Sequence, residues 1–404
     1  MWSFFRICGI VFATAFVSAQ IYKSDLPSDN PAIRYFQTPL EQLNDPASHL
    51  IRAINSGAVK LEARQDDLGY LPSVLKNLHV NQDTQALPFA RGSFQAAKIS
   101  PRNPRAIYFT DDVAVGWVRG GVGIEIASLD PRQGVIFYDL TEKAGQPVFT
   151  RPQVCLKCHR GAATNGVPGM FVGSVFPTES GEPERDGAII TDHRTKFEDR
   201  WGGWYITAKS GEQRDRANSV APDPAEPETL DNAGKQNLTS LWRFFNPTGY
   251  LTPLSDIVAL MTFEHQTQMQ NLLTRIGWLA RMGADESTLD SEINDTAAYM
   301  LFTDEAPLQE PIEGVSTFTK TFPLRGPRDR QGRSLRDFDL KTHLFRYRLS
   351  YAIYSAQFDA LPENARDRLY RRLYEMLGAK PVAERRAILE ILRDTKPNLP
   401  AYFD

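Results

Sequence analysis

Residues 106–140 read AIYFTDDVAVGWVRGGVGIEIASLDPRQGVIFYDL, and this stretch decides the fold class of the chain. Short runs rich in Val, Ile, Tyr and Trp alternate here with turn residues, which is typical of β-strands joined by tight hairpins. Gly120-Gly121 marks one turn, and Asp130-Pro131 with Gly134 marks the next. We therefore predict an antiparallel meander with strands at 106–109, 113–118, 122–127 and 135–140.

The meander continues through Val148-Phe149-Thr150 to the pentapeptide Cys155-Leu156-Lys157-Cys158-His159. Two cysteines separated by two residues and followed by histidine are the pattern of a covalent haem c attachment site. Each thiol can form a thioether with a haem vinyl group, and the imidazole can reach the iron as an axial ligand. The motif therefore predicts one covalent haem c, held by Cys155, Cys158 and His159.

Three other uses of a cysteine pair fit this chain less well. A structural zinc site needs four ligands, and no second cysteine pair is present to complete one. A thioredoxin-like redox pair opens a helix within a βαβ unit, which the flanking sequence does not predict. A disulfide between Cys155 and Cys158 would close a loop too small to stabilise the fold much.

The first nineteen residues have the pattern of a secretory signal. Arg6 supplies the positive charge, residues 7–16 are mostly apolar, and Val17-Ser18-Ala19 forms a small-residue cleavage site before Gln20. An uncleaved membrane anchor is the alternative, which the arginine and the small residues disfavour. Cys8 lies inside this segment, so Cys155 and Cys158 would be the cysteines of the mature chain. We expect a periplasmic or secreted protein that does not depend on disulfides.

The composition limits the kinds of partner. The chain has 46 basic and 49 acidic residues and a formal net charge of −3, which argues against nucleic acid as a partner. No later segment is apolar enough for a membrane span, so none is expected in the mature chain. A basic stretch at 325–336 could steer an acidic redox partner protein, or its arginines could pair internally with neighbouring acids. The arginines are Arg325, Arg328, Arg330, Arg333 and Arg336, and the acids are Asp329, Asp337 and Asp339.

The chain divides into regions of different character. Residues 20–104 are expected to be mostly helical, with helices at 32–56 and 66–80. Residues 105–208 are expected to form the β-rich haem c region. Further strands are predicted there at 170–176, 187–191 and 204–207. Residues 209–240 contain Pro222, Pro224 and Pro227 among polar residues, which indicates a loop or linker. Residues 241–404 are predicted to be mostly helical, with helices at 252–282, 365–377 and 381–393. The predicted fold class is α+β.

Two histidines are candidates for a second axial ligand of the iron. On the helix predicted at 252–282, His265 lies in an apolar stripe with Met261 and Met269 one turn to either side, which suits a haem pocket wall. His193 precedes the aromatic and glycine-rich segment 197–205, and Asp192 could orient its imidazole. The alternatives are a core histidine bonded to a carbonyl or to Glu264, and an ordinary loop histidine.

Other residues near the motif are candidates for contacts with the cofactor. Arg151, Lys157 and Arg160 flank the pentapeptide, and an arginine there could bind a haem propionate. Trp201 and Trp204 could pack flat against the macrocycle. Met170 is a weaker axial candidate, because eleven residues would have to turn tightly to cross the porphyrin. We expect it to line the pocket instead.

Several segments of the chain resemble those of a family of exported bacterial monohaem c-type cytochromes. The segments are 108–117 (YFTDDVAVGW), 155–159 (CLKCH), 200–205 (RWGGWY), 256–261 (DIVALM) and the C-terminal segment from Leu389 to Tyr402. The resemblance covers most of the mature chain and implies one haem c site, but it implies no particular reaction. A looser architectural likeness, a sheet that precedes the haem motif, links the chain to cytochrome c prime beta.

These observations predict a periplasmic c-type cytochrome, with electron transfer as the commonest use of a single haem c. The alternative is a haem c enzyme or small-ligand binder with an open sixth coordination position, acting on peroxide, a nitrogen oxide or an organic substrate. The large helical region favours this alternative, because an electron carrier does not need so much protein. The sequence leaves open whether the chain is an enzyme.

Overall fold

The computed structural model of the chain describes residues 24–183, 189–221, 226, 230 and 232–403. The signal predicted at residues 1–19 lies outside the described residues, and so do Pro222, Pro224 and Pro227 of the predicted loop. The described parts of that loop region, 209–221 and 232–240, contain turns and isolated bridges but neither a strand nor a helix.

The central feature is a five-stranded antiparallel sheet whose strands follow one another in sequence order. Its strands are β2 (Ala106–Phe109), β3 (Val113–Trp117), β4 (Ile124–Asp130), β5 (Gly134–Lys143) and β6 (Gln146–Thr150). The predicted meander is therefore confirmed, with ends that differ by up to three residues. At the β4–β5 turn Gly134 has a φ of 82°, a conformation that glycine adopts readily. Together with the helices of the C-terminal half, this sheet confirms the α+β class.

Two small two-stranded sheets accompany the meander. Strand β1 (Leu87–Pro88) pairs with β9 (Trp204–Tyr205), and β7 (Val172–Ser174) pairs with β8 (Ile189–Thr191). The strands predicted at 170–176 and 204–207 are thus present in shortened form. Strand β8 covers the described part of the strand predicted at 187–191, of which residues 187 and 188 lie outside the described residues. These strands carry the chain from the pentapeptide back across the molecule towards the long C-terminal helix.

One face of the central sheet packs on the N-terminal region. The hydroxyl of Tyr138 donates to Oδ2 of Asp45 at 2.9 Å, and the backbone N–H of Ala47 donates to Oγ of Ser128 at 3.0 Å. These bonds dock the start of helix α1 (Pro46–Asn55) on the sheet. Because side chains alternate along a strand, the neighbouring residues point to the opposite face, which is free to line a site.

The N-terminal helices are shorter than the sequence predicts. Helix α1 begins at Pro46 because the side chain of Asp45 accepts from the N–H of Ser48 as an N-cap, and helix α2 spans Leu71–Asn77. The predicted helices at 32–56 and 66–80 are wrong at their ends. Arg34 has a φ of 54°, which no right-handed helix contains, so the chain before Asp45 forms turns.

Helix α4 (Ile257–Met282) lies at the centre of the molecule and is buried on nearly every side. The helix before it in the chain is the short helix α3 (Leu156–His159). Helix α4 begins at Ile257 and not at Thr252, where the sequence predicts its start. The side chain of Gln85 donates to the carbonyls of Thr252 and Leu254, which holds this segment outside the helix, and Asp256 provides the N-cap instead. No helix in the described part of the chain has the length and apolar character needed to cross a membrane.

Helices α5 (Glu286–Met300), α6 (Phe318–Thr321), α7 (Ala356–Asp359) and α8 (Glu363–Leu377) pack against α4. Helix α5, which the sequence analysis missed, packs against α4 and also against α8. Helices α8 and α9 (Val382–Thr395) confirm the two predicted C-terminal helices to within two residues at each end. Two four-residue helices, α6 and α7, complete the set in the described residues.

Truncation inside α4 should destabilise the whole fold. Ile276 is fully buried, so Ile276→Ala leaves a cavity and should lower the free energy of unfolding by about 2–5 kcal/mol. Val382 of α9 is 74% exposed, so Val382→Ala should change that free energy by no more than about 0.5 kcal/mol. Denaturant titration of both variants measures the difference, and equal effects would contradict the central place of α4.

Candidate functional site

The cysteine pentapeptide forms a single helical turn at the end of the sheet. A 3₁₀ turn at Gln153–Cys155 runs directly into helix α3, so Cys155, Cys158 and His159 project from one side of the turn. Both thiols are free, with Cys155 half-buried and Cys158 exposed. Burial and nearby acids raise the pKa of the Cys155 thiol to about 11, so it is protonated at neutral pH. The turn thus presents two thiols and an imidazole together.

The imidazole of His159 is oriented by one hydrogen bond. Its Nδ1 lies 3.0 Å from the carbonyl oxygen of Gly169, and because a carbonyl only accepts, Nδ1 carries the hydrogen. Burial lowers the pKa of His159, which favours the neutral ring. The lone pair is therefore on Nε2, the arrangement found in histidines that bind metal ions. Phe137 lies beside the ring, with 4.8 Å between ring centroids.

This turn borders a cavity of about 570 Å³ between the sheet and α4. The cavity lies within the range of about 300–1,000 Å³ that is typical of cofactor and small-molecule sites. Its floor is the free face of the sheet, where the small residues Ala114, Gly116 and Ala127 leave room. Aromatic side chains form much of the rest of the lining, namely Phe137, Phe171, Trp204 and Phe263. The shape suits a large, flat, apolar group.

One partly buried ion pair crosses the cavity floor. Arg105 lies over Gly116, where any Cβ would collide with its guanidinium, and it pairs with Glu125 at 2.5 Å. Nε of Arg105 and Oε1 of Glu125 are buried without a hydrogen-bond partner among the described residues. A buried polar atom without a partner is uncommon in folded proteins and indicates a group that completes it. Arg105 therefore retains a donor for an anionic group inside the cavity.

These residues fit a haem c. Two free thiols, an imidazole with its lone pair on Nε2, an apolar volume and an arginine with an unused N–H are the parts that such a group requires. Arg91 also lines the cavity, where it pairs with Glu182. Sequence reasoning missed both arginines. Gly116 inside a strand was the signal that something approaches the backbone closely.

The two predicted axial histidines do not lie in this cavity. Nδ1 of His193 and Nδ1 of His265 are 2.9 Å apart, and Nε2 of His265 lies 2.8 Å from Oγ of Ser350. The placement of either histidine opposite His159 is thus corrected by the structure. Phe263 of α4 faces the cavity, and a residue two positions later points about 200° around the helix, which turns His265 away.

Of the other residues predicted to contact the cofactor, some line the cavity and one lies elsewhere. Trp204 lines the cavity and donates from Nε1 to the carbonyl of Gly173 at 2.7 Å, and Met170 lines it too. Trp201 is fully buried elsewhere, edge-on to Phe197 with a centroid distance of 4.8 Å. The expected role of Trp201 in packing on the macrocycle is therefore not supported by its position.

The arginines that flank the pentapeptide bond to the segment 28–38 rather than line the cavity. Arg151 donates to the carbonyls of Tyr35 and Thr38, and Arg160 donates to Oγ of Ser28 at 2.6 Å. Neither Arg151 nor Arg160 is part of the cavity lining, which corrects their expected contact with a propionate. Arg151 instead fixes the loop that leads into the cysteine turn.

The basic stretch at 325–336 is tied internally. Each of its five arginines has an acidic partner: Arg325 with Asp83, Arg328 with Asp337, Arg330 with Asp394, Arg333 with Asp329 and Glu390, and Arg336 with Asp111. These pairs favour the internal alternative over the docking of an acidic partner protein.

The buried histidine pair should make the protein sensitive to acid. Burial holds the pKa of His193 and of His265 well below the ordinary value, so the unfolded chain binds protons below pH ~6.5 that the folded chain does not. Each histidine should thus remove about 1.4 kcal/mol of stability per pH unit below that value. Denaturant titrations measure the free energy of unfolding from pH 8 to pH 5. This free energy should fall less in His193→Gln than in the wild type. In His49→Gln, which alters an exposed histidine, it should fall with pH as steeply as in the wild type. Identical slopes in all three proteins would contradict this account.

In comparisons with known proteins, no family model matches this chain, and no curated protein or solved structure matches it. The similarity of its segments to exported monohaem cytochromes therefore stays a prediction.

Proposed function

We propose that this chain binds one haem c covalently, through Cys155 and Cys158, with His159 as the proximal ligand of the iron. The proposal is supported by the cysteine turn at the edge of an apolar cavity and by the Nδ1 hydrogen bond that leaves Nε2 of His159 free. A bound haem c supplies an iron centre that can carry one electron or bind a small ligand.

The residues of the cavity have separate tasks in this proposal. The carbonyl of Gly169 holds the His159 ring in one tautomer and one orientation. Ala114, Gly116 and Ala127 keep the floor flat, and Arg105 offers its unused N–H to a carboxylate of the cofactor. The aromatic side chains of the lining offer apolar surface for the macrocycle to pack against.

One observation favours a small-ligand binder or enzyme over a six-coordinate electron carrier. Among the described residues that line the cavity, His159 is the single histidine. The carbonyl of Gly169 contacts Nδ1 of His159, and Met170 is the next residue in the chain. The backbone of Met170 therefore lies on the side of the His159 ring that is remote from Nε2. We therefore propose that the sixth position is left to an exogenous small ligand such as peroxide, a nitrogen oxide or a small organic molecule.

Electron transfer remains the second candidate, and a different observation favours it. Three apolar side chains on the lining are exposed, namely Phe94 at 65%, Val122 at 79% and Val154 at 39%. An exposed apolar rim is typical of surfaces that meet a protein partner. In this alternative a redox partner protein would approach the cofactor over that rim.

The attachment itself can be tested directly. Thioether bonds survive denaturation, so a denaturing gel stained for haem should show a band, and Cys155→Ser with Cys158→Ser should abolish it. Haem that extracts from the unaltered protein into acidified organic solvent would disprove the proposal.

Export forms part of the same proposal. Haem c is expected to be attached outside the cytoplasm, so the mature protein should begin at about Gln20. A chain that lacks residues 1–19 should accumulate without haem, as measured by absorbance per polypeptide. Equal haem loading with and without this segment would contradict the periplasmic assignment.

The sixth position can be tested by spectroscopy. If no side chain occupies it, the ferric protein should be high-spin and should convert to a low-spin form on addition of cyanide. His265→Ala and His193→Ala should leave the starting spectrum unchanged, since neither histidine lines the cavity. A low-spin ferric protein that ignores cyanide, and becomes high-spin in His265→Ala, would restore the axial role of His265 and favour electron transfer.

A further inference from the structure

A second cavity, of about 130 Å³, lies on another side of α4. The turn between β2 and β3 supplies Asp111 and Asp112, α4 supplies Gln270, and helix α7 supplies Gln357. Cys155, Cys158 and His159 are not among its lining residues, so it is separate from the proposed haem site. Nothing in the proposed function uses it.

Two glutamines on its lining each have a buried amide oxygen without a partner. Oε1 of Gln270 and Oε1 of Gln357 are buried and accept no hydrogen bond from any described residue, although the two side chains are only 5% and 3% exposed. Their orientation is fixed, because Nε2 of Gln270 donates to the carbonyl of Asp111 at 2.6 Å and Nε2 of Gln357 donates to the carbonyl of Gln270 at 3.1 Å. An amide flip would place two carbonyl oxygens against each other. Both oxygens are therefore genuine unused acceptors.

The charges on the lining leave one carboxylate without a counter-ion. Arg336 is engaged by Asp111 through two nitrogens, and its guanidinium lies 4.2 Å from the centre of the Tyr351 ring. Nε of Arg336 is buried without a partner, but its charge is matched by Asp111. Asp112 has no ion pair of its own among the described residues, so with His265 neutral the lining carries a net charge of −1.

Most of the other polar groups on the lining already have partners. Gln266 donates to the carbonyl of Thr110 and accepts from the hydroxyl of Tyr351, and Ser350 bonds His265. Apolar side chains form other parts of the wall, namely Leu129, Met269, Ala352 and Ala356. An occupant that suits this cavity is thus small and positively charged, carries several N–H donors and has a hydrocarbon part.

We propose that this cavity binds a small primary ammonium ion, whose three N–H groups donate to the carboxylate of Asp112 and to the amide oxygens of Gln270 and Gln357. An –NH₃⁺ group has three donors and no acceptor, which matches three acceptors and one negative charge. A multivalent metal ion fits less well, because no group of three or more His, Cys, Asp or Glu side chains suited to a metal occurs in the described part of the chain.

The proposal can be tested by calorimetric titration of the full-length protein with ethylammonium chloride at pH 8 and constant ionic strength. Saturable binding to one site is expected. Tetramethylammonium has the same charge but no N–H, so it should bind at least about tenfold more weakly, and so should potassium ion. An absence of saturable binding, or equal affinity for the three cations, would overturn the proposal whatever the state of the haem site.

Variants localise the site. Asp112→Asn keeps the shape of the side chain but removes the charge, so the affinity for ethylammonium should fall about tenfold or more. Asp67→Asn makes the same change at an exposed position and should bind like the wild type. Unchanged affinity in Asp112→Asn would refute the assignment, and if this variant does not fold, the comparison of the three cations in the wild-type protein still decides.

The pH dependence gives an independent measurement. Burial and the neighbouring Asp111 raise the pKa of Asp112 to about 6, while Arg336 opposes the shift. The other titratable groups on the lining are Asp111, Arg336, His265, Tyr351 and Tyr354. Because protonated Asp112 no longer attracts a cation, the affinity for ethylammonium should decline between pH 8 and pH 5. An affinity that stays constant over this range would contradict a role for Asp112.

Discussion

The structure depends on a helix that is buried on almost every side although it carries many polar residues. A buried polar group without a partner destabilises a fold, so each such side chain on α4 has to meet a partner inside the protein. Glu264 accepts from the hydroxyl of Thr191 at 2.6 Å and pairs with Arg200 at 3.4 Å, and Arg275 pairs with Glu292 at 2.7 Å. These bonds set the rotation of α4 about its axis. That rotation decides which residues face each neighbouring cavity.

The same helix therefore serves two sites of different character. Phe263 closes the apolar cavity beside the cysteine turn, while Gln266 and Gln270 border the small polar cavity at the β2–β3 turn. His265 is bonded at both of its ring nitrogens, to His193 and to Ser350. A histidine with both nitrogens engaged has no free lone pair to offer an iron atom, although the sequence places His265 in an apolar stripe.

Small residues and one arginine on the sheet shape the cavity beside the cysteine turn. Gly116 lets Arg105 cross the sheet to Glu125, and the alanines beside it leave the floor shallow. Residues further along position the cysteine turn, since Arg151 holds the loop before it and the carbonyl of Gly169 orients His159 after it. Cys155, Cys158 and His159 lie within one five-residue segment, but the walls of the cavity come from strands, loops and a helix that are far apart in the chain.

The sequence by itself determined the meander, the α+β class and the adjacent residues Cys155, Cys158 and His159. Strand alternation, glycine turns and a five-residue motif are local patterns, and local patterns survive folding unchanged. Tertiary structure alone decided the start of α4, because Gln85 holds the carbonyls of Thr252 and Leu254 from a distant part of the chain. It also decided that His193 and His265 bond each other and that Arg105, rather than Arg151 or Arg160, reaches the cavity. Helical periodicity gives the face on which a residue lies but not the neighbour that this face will meet, which is settled by packing between segments far apart in sequence.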